Sequence, residues 1–261
     1  MTAGSARGLY LFAIVGSTAV DLSGLPGIVG GSSPRLVAHG DLAAVVADVL
    51  LSALDVREEE VTEDGPLARM AMDHDTVIRA VFDQTPALPL RLATVVGDED
   101  AVRRLLEERS AEIRDLLARL ADHQEWGVRL RREAGKSDPN AERERDRAGR
   151  PSGRAYLQAR REALRASQEQ RHAVRQAGDE VYRALAEHAS DATRLSSGGG
   201  AVLLLNATYL VPTSATDTFR GVVEKYATEL QAGGVQVELT GPWPPYSFAQ
   251  VTIGSQAAAD G

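Results

Sequence analysis

Residues Leu9 to Val15 read LYLFAIV, an apolar run with no polar residue at either parity. Successive side chains of a strand point to opposite faces, so an uninterrupted run of this kind must be covered on both sides. This places a central β-strand near the start of the chain. At seven residues the run is too short to cross a membrane.

A strand buried on both faces needs a large core around it. The chain of 261 residues is long enough for that, and its length favours two modest domains over one large one. Hydrophobic residues at 43% and charged residues at 25% are ordinary for a soluble globular protein, which argues against disorder and membrane residence. Cysteine is absent, so disulfides, thiolate nucleophiles and cysteine metal sites are excluded, and the cytoplasm is the natural compartment. A net charge of −8 disfavours a generic nucleic-acid partner unless positive charge is concentrated locally.

Leu36–His39 and Leu42–Val49, broken at Gly40-Asp41, read as a tight hairpin. An acidic run, Glu58 to Asp64, precedes Pro66 and a helix from Leu67 to Phe82. In TPALPLRLATVV the residues Leu88, Leu90 and Leu92 share one face of a strand, with Arg91 on the other. Asp98, Glu99 and Asp100 then open a helix predicted to run to Leu120, which ends a first domain at residue 122.

The alternation of Trp126, Val128 and Leu130 against Arg129 and Arg131 begins a second domain, 123–241. Residues 135–153 contain no large apolar side chain and read as a flexible charged loop. Leu157, Leu164, Val174, Val181 and Leu185 predict one long helix from Arg154 to His188. A hairpin across Gly198–Gly200 follows, with Leu203, Leu205, Ala207, Tyr209 and Val211 on one face. Ser214 and Asp217 read as a capping box for the next helix, and Val235, Val237 and Leu239 form the last strand. The order β-α-β-β-α-β predicts a modified ferredoxin-like fold, so the whole chain reads as α+β with two α/β domains. Residues 242–261 form a tail in which Pro242, Pro244 and Pro245 stop the strand, and Trp243, Tyr246 and Phe248 fold back as a cover between the domains or meet a partner.

Little here signals catalysis. No phosphate-binding glycine loop or nucleophile elbow is present. His39, His74, His123, His172 and His188 are never paired at helical spacing, and Asp73, His74 and Asp75 are consecutive on a helix, so they diverge by about 100° and cannot converge on one ion. No catalytic, cofactor or metal residue is therefore assigned. Arg91, beside three leucines, is a candidate for anion binding or for a salt bridge between layers. The arginines from Arg143 to Arg175, Arg160 and Arg161 among them, read as a solvated helix face or as a surface for an acidic protein; with Tyr156 as the single aromatic residue of this segment, RNA binding is the weaker reading. The helix is also too thin on its apolar face to anchor in a membrane.

Several stretches taken together, LYLFAIVGS, LPGIVGG, HGDLAAVVADV, ALPLRLATVV, EWGVRL, GRAYLQARR, LLNATYLVP and TGPWPPYSFA, resemble the GvpL/GvpF family of gas vesicle proteins, in order and over nearly the whole chain. The resemblance implies a minor or accessory protein of gas vesicle formation, without enzymatic activity, located in the cytoplasm and at the vesicle. It implies as partners the vesicle shell protein and other vesicle accessory proteins, with no nucleic acid, membrane or cofactor. An enzyme acting on a small anion through Arg91, or an RNA-associated protein using the basic helix, is the rival reading. Nothing in the resemblance bears on the charged insert.

Overall fold

The computed structural model describes residues 6–16, 19–28, 31–54, 65–132, 158, 160–161, 165, 176–196 and 203–249. The acidic run before Pro66, the charged insert and the Gly198–Gly200 turn lie outside them. The chain divides into two compact units, one of residues 1–125 with 242–261, the other of residues 126–241.

In the first unit the apolar run becomes β1 (Arg7–Gly16), central as its composition requires. It pairs antiparallel with β3 (Leu42–Leu50) on one side, and β3 pairs antiparallel with β2 (Arg35–His39) across the Gly40-Asp41 turn. Gly40 has φ +61°, a left-handed conformation that an L side chain adopts only with strain. On the other side of β1 lie two short strands, β4 (Ala87–Pro89) and β5 (Val95–Val96).

Helix α1 (Pro66–Phe82) starts on proline, whose missing N–H is no loss at that position, and buries Met70, His74, Val77, Ile78 and Val81. Its apolar residues pack with Tyr10, Phe12, Val45, Ala47 and Val49. The alternate residues Leu11, Ala44 and Val46 are buried as well, and α2 (Glu99–Glu108) and α3 (Ser110–Leu120) pack on β2, β3, β1 and β4. Asp98 caps α2, its side chain accepting from Ala101 N–H at 2.8 Å. The single helix predicted for 99–120 is two, because Arg109 leaves helical geometry at φ −108°, ψ 13°. The hairpin turn is tied to α3 by a bidentate pair, Arg114 to both oxygens of Asp41 at 2.8 and 2.7 Å, which lowers the Asp41 carboxyl to about 2.

In the second unit β6 (His123–Arg132) is followed by helical backbone at residues 158, 160, 161 and 165 and by helix α4 over 176–186. Then come β7 (Asp191–Arg194), β8 (Leu203–Pro212), α5 (Thr216–Gln231) and β9 (Val235–Trp243). The strands lie in the order β7-β8-β6-β9. Trp126, Val128 and Leu130 meet Leu205, Ala207, Tyr209 and Val211 under Val181 and Leu185 of α4 and Phe219 and Val223 of α5. Phe219 stands between two rings, 6.5 Å from Trp126 and 5.3 Å from Tyr209. The capping box at Ser214 and Asp217 does not form: a 3-10 turn, Thr213–Ala215, leads into α5, so Ser214 lies inside that turn and the cap position is Ala215, without a side-chain bond.

Gly8 shows how closely β5 approaches β1. A Cβ there would stand 2.8 Å from Val95 Cγ1 and 3.0 Å from the Val96 carbonyl oxygen. Gly8→Ala should push β5 off β1 and destabilise the unit by about 1–3 kcal/mol. A lowered urea midpoint and faster exchange of the Leu11 amide, bonded to the Thr94 carbonyl at 2.9 Å, would register the change; an unchanged midpoint would contradict it.

Candidate functional site

The strand predicted through Leu88, Leu90 and Leu92 stops after Pro89. Leu90 N–H still reaches the Phe12 carbonyl at 2.9 Å, and the ladder resumes where Leu11 N–H donates to the Thr94 carbonyl at 2.9 Å. Only adjacent residues of β1 span that gap, so Arg91, Leu92 and Ala93 are surplus and leave the sheet as a bulge. Ala93 sits at φ +62°, outside the ordinary range of a residue bearing a Cβ. Such a conformation persists only where the surroundings hold it.

Four bonds hold it. Thr94 donates from its backbone at 3.2 Å and from Oγ1 at 2.6 Å to the Arg91 carbonyl, closing the turn. Ala93 N–H donates to the Tyr10 hydroxyl at 3.2 Å, and that hydroxyl is 2.8 Å from His74 Nδ1. His74 Nε2 is 3.1 Å from the Leu90 carbonyl. A carbonyl can only accept, so Nε2 carries the proton; in the neutral ring Nδ1 is then the acceptor and the Tyr10 O–H donates to it. One histidine thus connects both ends of the bulge, directly to Leu90 and through Tyr10 to Ala93.

Burial favours that neutral form. His74 is 5% exposed, stacked against Phe12 with ring centroids 5.8 Å apart, and its pKa is depressed by desolvation, opposed by the Leu90 bond and by Asp75. The Tyr10 phenol is pushed up to about 12 by the same burial.

The other face of α1 receives the tail. Tyr246 donates to Asp75 Oδ1 at 3.0 Å, while Asp75 Oδ2 takes Arg79 Nε at 2.5 Å, and the Arg79 guanidinium lies 4.0 Å from the centre of the Trp243 ring. Burial and the Asp75 carboxylate both push the Tyr246 phenol up. Ser247 donates from N and from Oγ to the two oxygens of Glu125, each at 2.7 Å. Glu125 is 6% exposed, and desolvation raises its pKa against the pull of those two bonds. Phe248 and Ala249 are buried beyond it.

Between α1, the bulge and the tail is a hollow of about 320 Å³, lined by Ala71, His74 and Asp75, by Leu90, Arg91 and Leu92, and by Tyr246. Two of the residues singled out in the sequence, Arg91 and Tyr246, therefore meet here. Trp243 is one link away through Arg79 and Asp75, and Phe248 is buried in the same tail. Arg160 and Arg161 belong to the second unit, exposed on helical backbone. The sequence reading missed Tyr10, Arg79 and Glu125, and it weighed His74 and Asp75 only as metal ligands and set them aside. A signal for His74 was present: it falls four residues after Met70 and three before Val77, in the apolar stripe of α1, where a polar ring needs a partner.

Among the described residues no cluster of three or more His, Asp or Glu side chains could hold a metal ion, and no helix is long and apolar enough to cross a membrane. The groups with shifted pKa values at this site are each engaged within the unit: His74 with the Leu90 carbonyl and Tyr10, Tyr10 with Ala93 N–H, Tyr246 with Asp75, and Glu125 with Ser247.

An α+β chain of two antiparallel-sheet units, the first one closed by a C-terminal tail, is the class these features define. Residues 8–250 match the model of the family described as gas vesicle synthesis protein GvpL/GvpF. The chain is 39% identical over 232 residues to gas vesicle protein L of a Streptomyces species, an alignment covering 85% of each. It is 34% identical over 59 residues to gas vesicle protein F2 of Halobacterium salinarum, 23% of this chain and 26% of that one. Among solved structures, GvpF from an Anabaena species superposes with a TM-score of 0.67 at 18% identity, covering 97% of this chain and all of the other. GvpF from Microcystis aeruginosa gives 0.64 at 18% identity over 94% and 99%. The chain belongs to the GvpL/GvpF family, and its role is in gas vesicle formation.

The two buried groups make opposite contributions to stability with pH. Because the folded pKa of His74 is depressed below the ordinary 6.5, the unfolded chain protonates first; the stability it contributes is complete above pH 6.5 and lost as pH falls through the folded value. Glu125 is raised above 4.5, so its contribution is complete below pH 4.5 and lost as pH rises through its folded value. Denaturant midpoints from pH 4 to 8 should show His74→Phe flattening the loss on acidification and Glu125→Gln flattening the loss on the alkaline side of 4.5. His74→Phe should in addition cost about 2–4 kcal/mol at pH 7.5, through the Leu90 carbonyl left without its donor and the Tyr10 O–H left without an acceptor. Retention of the wild-type pH profile in His74→Phe would contradict this role of the His74 ring.

Proposed function

We propose that this chain is a non-catalytic assembly protein that binds the main shell protein and other gas vesicle proteins during vesicle formation, as a chaperone or nucleator working in the cytoplasm. The observation that carries this reading is the family match across residues 8–250. A shell subunit that is apolar on its gas-facing side invites aggregation before it is assembled, and a protein that holds or seeds it needs adhesive surface and no reactive centre. Strand addition at a sheet edge and insertion against a helix are the two modes open to such a surface. The first unit supports the reading with Met72 of α1, which is 69% exposed, a flexible apolar side chain suited to a greasy partner. For the second unit we propose a modified ferredoxin-like fold; the order β-α-β-β-α-β and the strand order β7-β8-β6-β9 support it.

Affinity-tagged protein should co-purify with the shell protein from cells making vesicles, and Met72→Glu should weaken that capture several-fold without lowering the melting temperature. A strain lacking the gene should make few or malformed vesicles. Wild-type vesicles in that strain, or no shell protein on the tagged chain, would overturn the proposal.

A further inference from the structure

The hollow beside α1 has two properties that its hydrogen bonds leave unexplained. Its volume of about 320 Å³ stands at the bottom of the range for small-molecule pockets, roughly 300–1,000 Å³. That is room for an inserted side chain more than for a cofactor. Leu90, Leu92 and the rings of His74 and Tyr246 make its walls largely apolar, and the polar atoms of both rings are already engaged with Tyr10, the Leu90 carbonyl and Asp75.

On the rim stands Arg91. It is exposed, and among the described residues no carboxylate pairs with it. The other rim charge, Asp75, is occupied by Arg79 and Tyr246. Arg35, Arg79, Arg103 and Arg114 of the same unit each hold a carboxylate. The backbone under Arg91 is also fixed: its carbonyl accepts twice from Thr94, and the residues before it and after Leu92 are tied to His74 and Tyr10. Its guanidinium offers parallel donors to a carboxylate from a backbone that is already ordered.

We infer that this hollow is a docking site for an acidic segment of a partner protein, which inserts one apolar side chain between Leu90, Leu92 and Tyr246 and sets a neighbouring carboxylate on Arg91. The inference rests on the assembly-binding reading above and adds to it the chemistry of the bound segment. Both parts are needed: the apolar side chain fills the hollow, and the ion pair selects acidic over basic segments. The tail takes part because Tyr246 is one wall.

Short capped peptides carrying a single Leu flanked by Glu should shift the backbone amide resonances of Leu92, Ala93 and Thr94 in the full-length protein, saturably. Arg91→Glu should weaken that binding roughly tenfold or more and accept instead a peptide with Leu flanked by Lys. Since Arg91 is exposed, the reversed preference also certifies that the variant is folded. Equal binding when Leu is replaced by Ser would mean a bare charge contact and overturn the proposal, as would identical titrations of the wild type and Arg91→Glu. Capture of the shell protein by wild type and Arg91→Glu alike would overturn this dock and leave the assembly reading standing. Peptide binding as described with no capture of the shell protein would uphold the dock and overturn the assembly reading.

Discussion

A single buried imidazole determines the shape of the first unit's surface. His74 donates to the Leu90 carbonyl and accepts from Tyr10, which itself accepts from Ala93 N–H, so one side chain satisfies polar groups at both ends of a segment that has left the sheet. Without those partners the Leu90 carbonyl and the Ala93 amide would be buried or half-buried polar groups that the interrupted ladder cannot satisfy. The bulge exists because α1 supplies, at one core position, a ring with a donor on one edge and an acceptor on the other. Neutrality is part of the design: a protonated ring would present two donors, and the Tyr10 hydroxyl would lose the acceptor for its proton.

The tail is fastened by different chemistry. Where the bulge is held by neutral groups in the core, residues 243–248 are held by charge-assisted bonds at its margin: Trp243 against the Arg79 guanidinium, Tyr246 on Asp75, and Ser247 on Glu125. The prolines fit this arrangement. Pro242, expected to stop the last strand, lies inside β9, which runs on to Trp243; Pro244 and Pro245 withhold backbone donors where the strand ends, and they are buried while their carbonyls accept from Tyr246 and Phe248. Glu125 acts as the cap of that turn, its two oxygens taking the backbone and hydroxyl protons of one serine.

Much of this architecture was legible from local pattern. The two-sided apolar run of β1, the hairpin at Gly40-Asp41, the helix after Pro66, the Asp98 cap and the alternation of β6, β8 and β9 are read from side-chain period and turn chemistry alone, and the observed elements follow them. The failures are equally specific. Leu88, Leu90 and Leu92 alternate as a strand should, yet the edge of β1 offers partners only up to Leu90 and again from Thr94, a fact about register with a distant strand. Ser214 and Asp217 have the spacing of a capping box, but a 3-10 turn takes up the chain ahead of α5. Arg91 and Tyr246 were singled out for separate reasons, and their meeting in one hollow depends on contacts across more than 150 positions of sequence, of which the Asp75–Tyr246 bond is the plainest, spanning 171.

The hollow draws its walls from three segments far apart in the chain, and each segment is immobilised by something other than a ligand. That distinguishes it from a cleft that closes on what it binds. A binding surface already ordered by its own core forfeits little conformational entropy on association, so modest contact area can still yield useful affinity. It also separates stability from recognition in sequence. The groups that hold the site, Tyr10, His74 and Glu125, are buried and engaged with backbone or with the tail, whereas the Arg91 and Met72 side chains face solvent. Such a division lets the exposed side chains vary in the strength of their contacts while the frame beneath them stays unchanged.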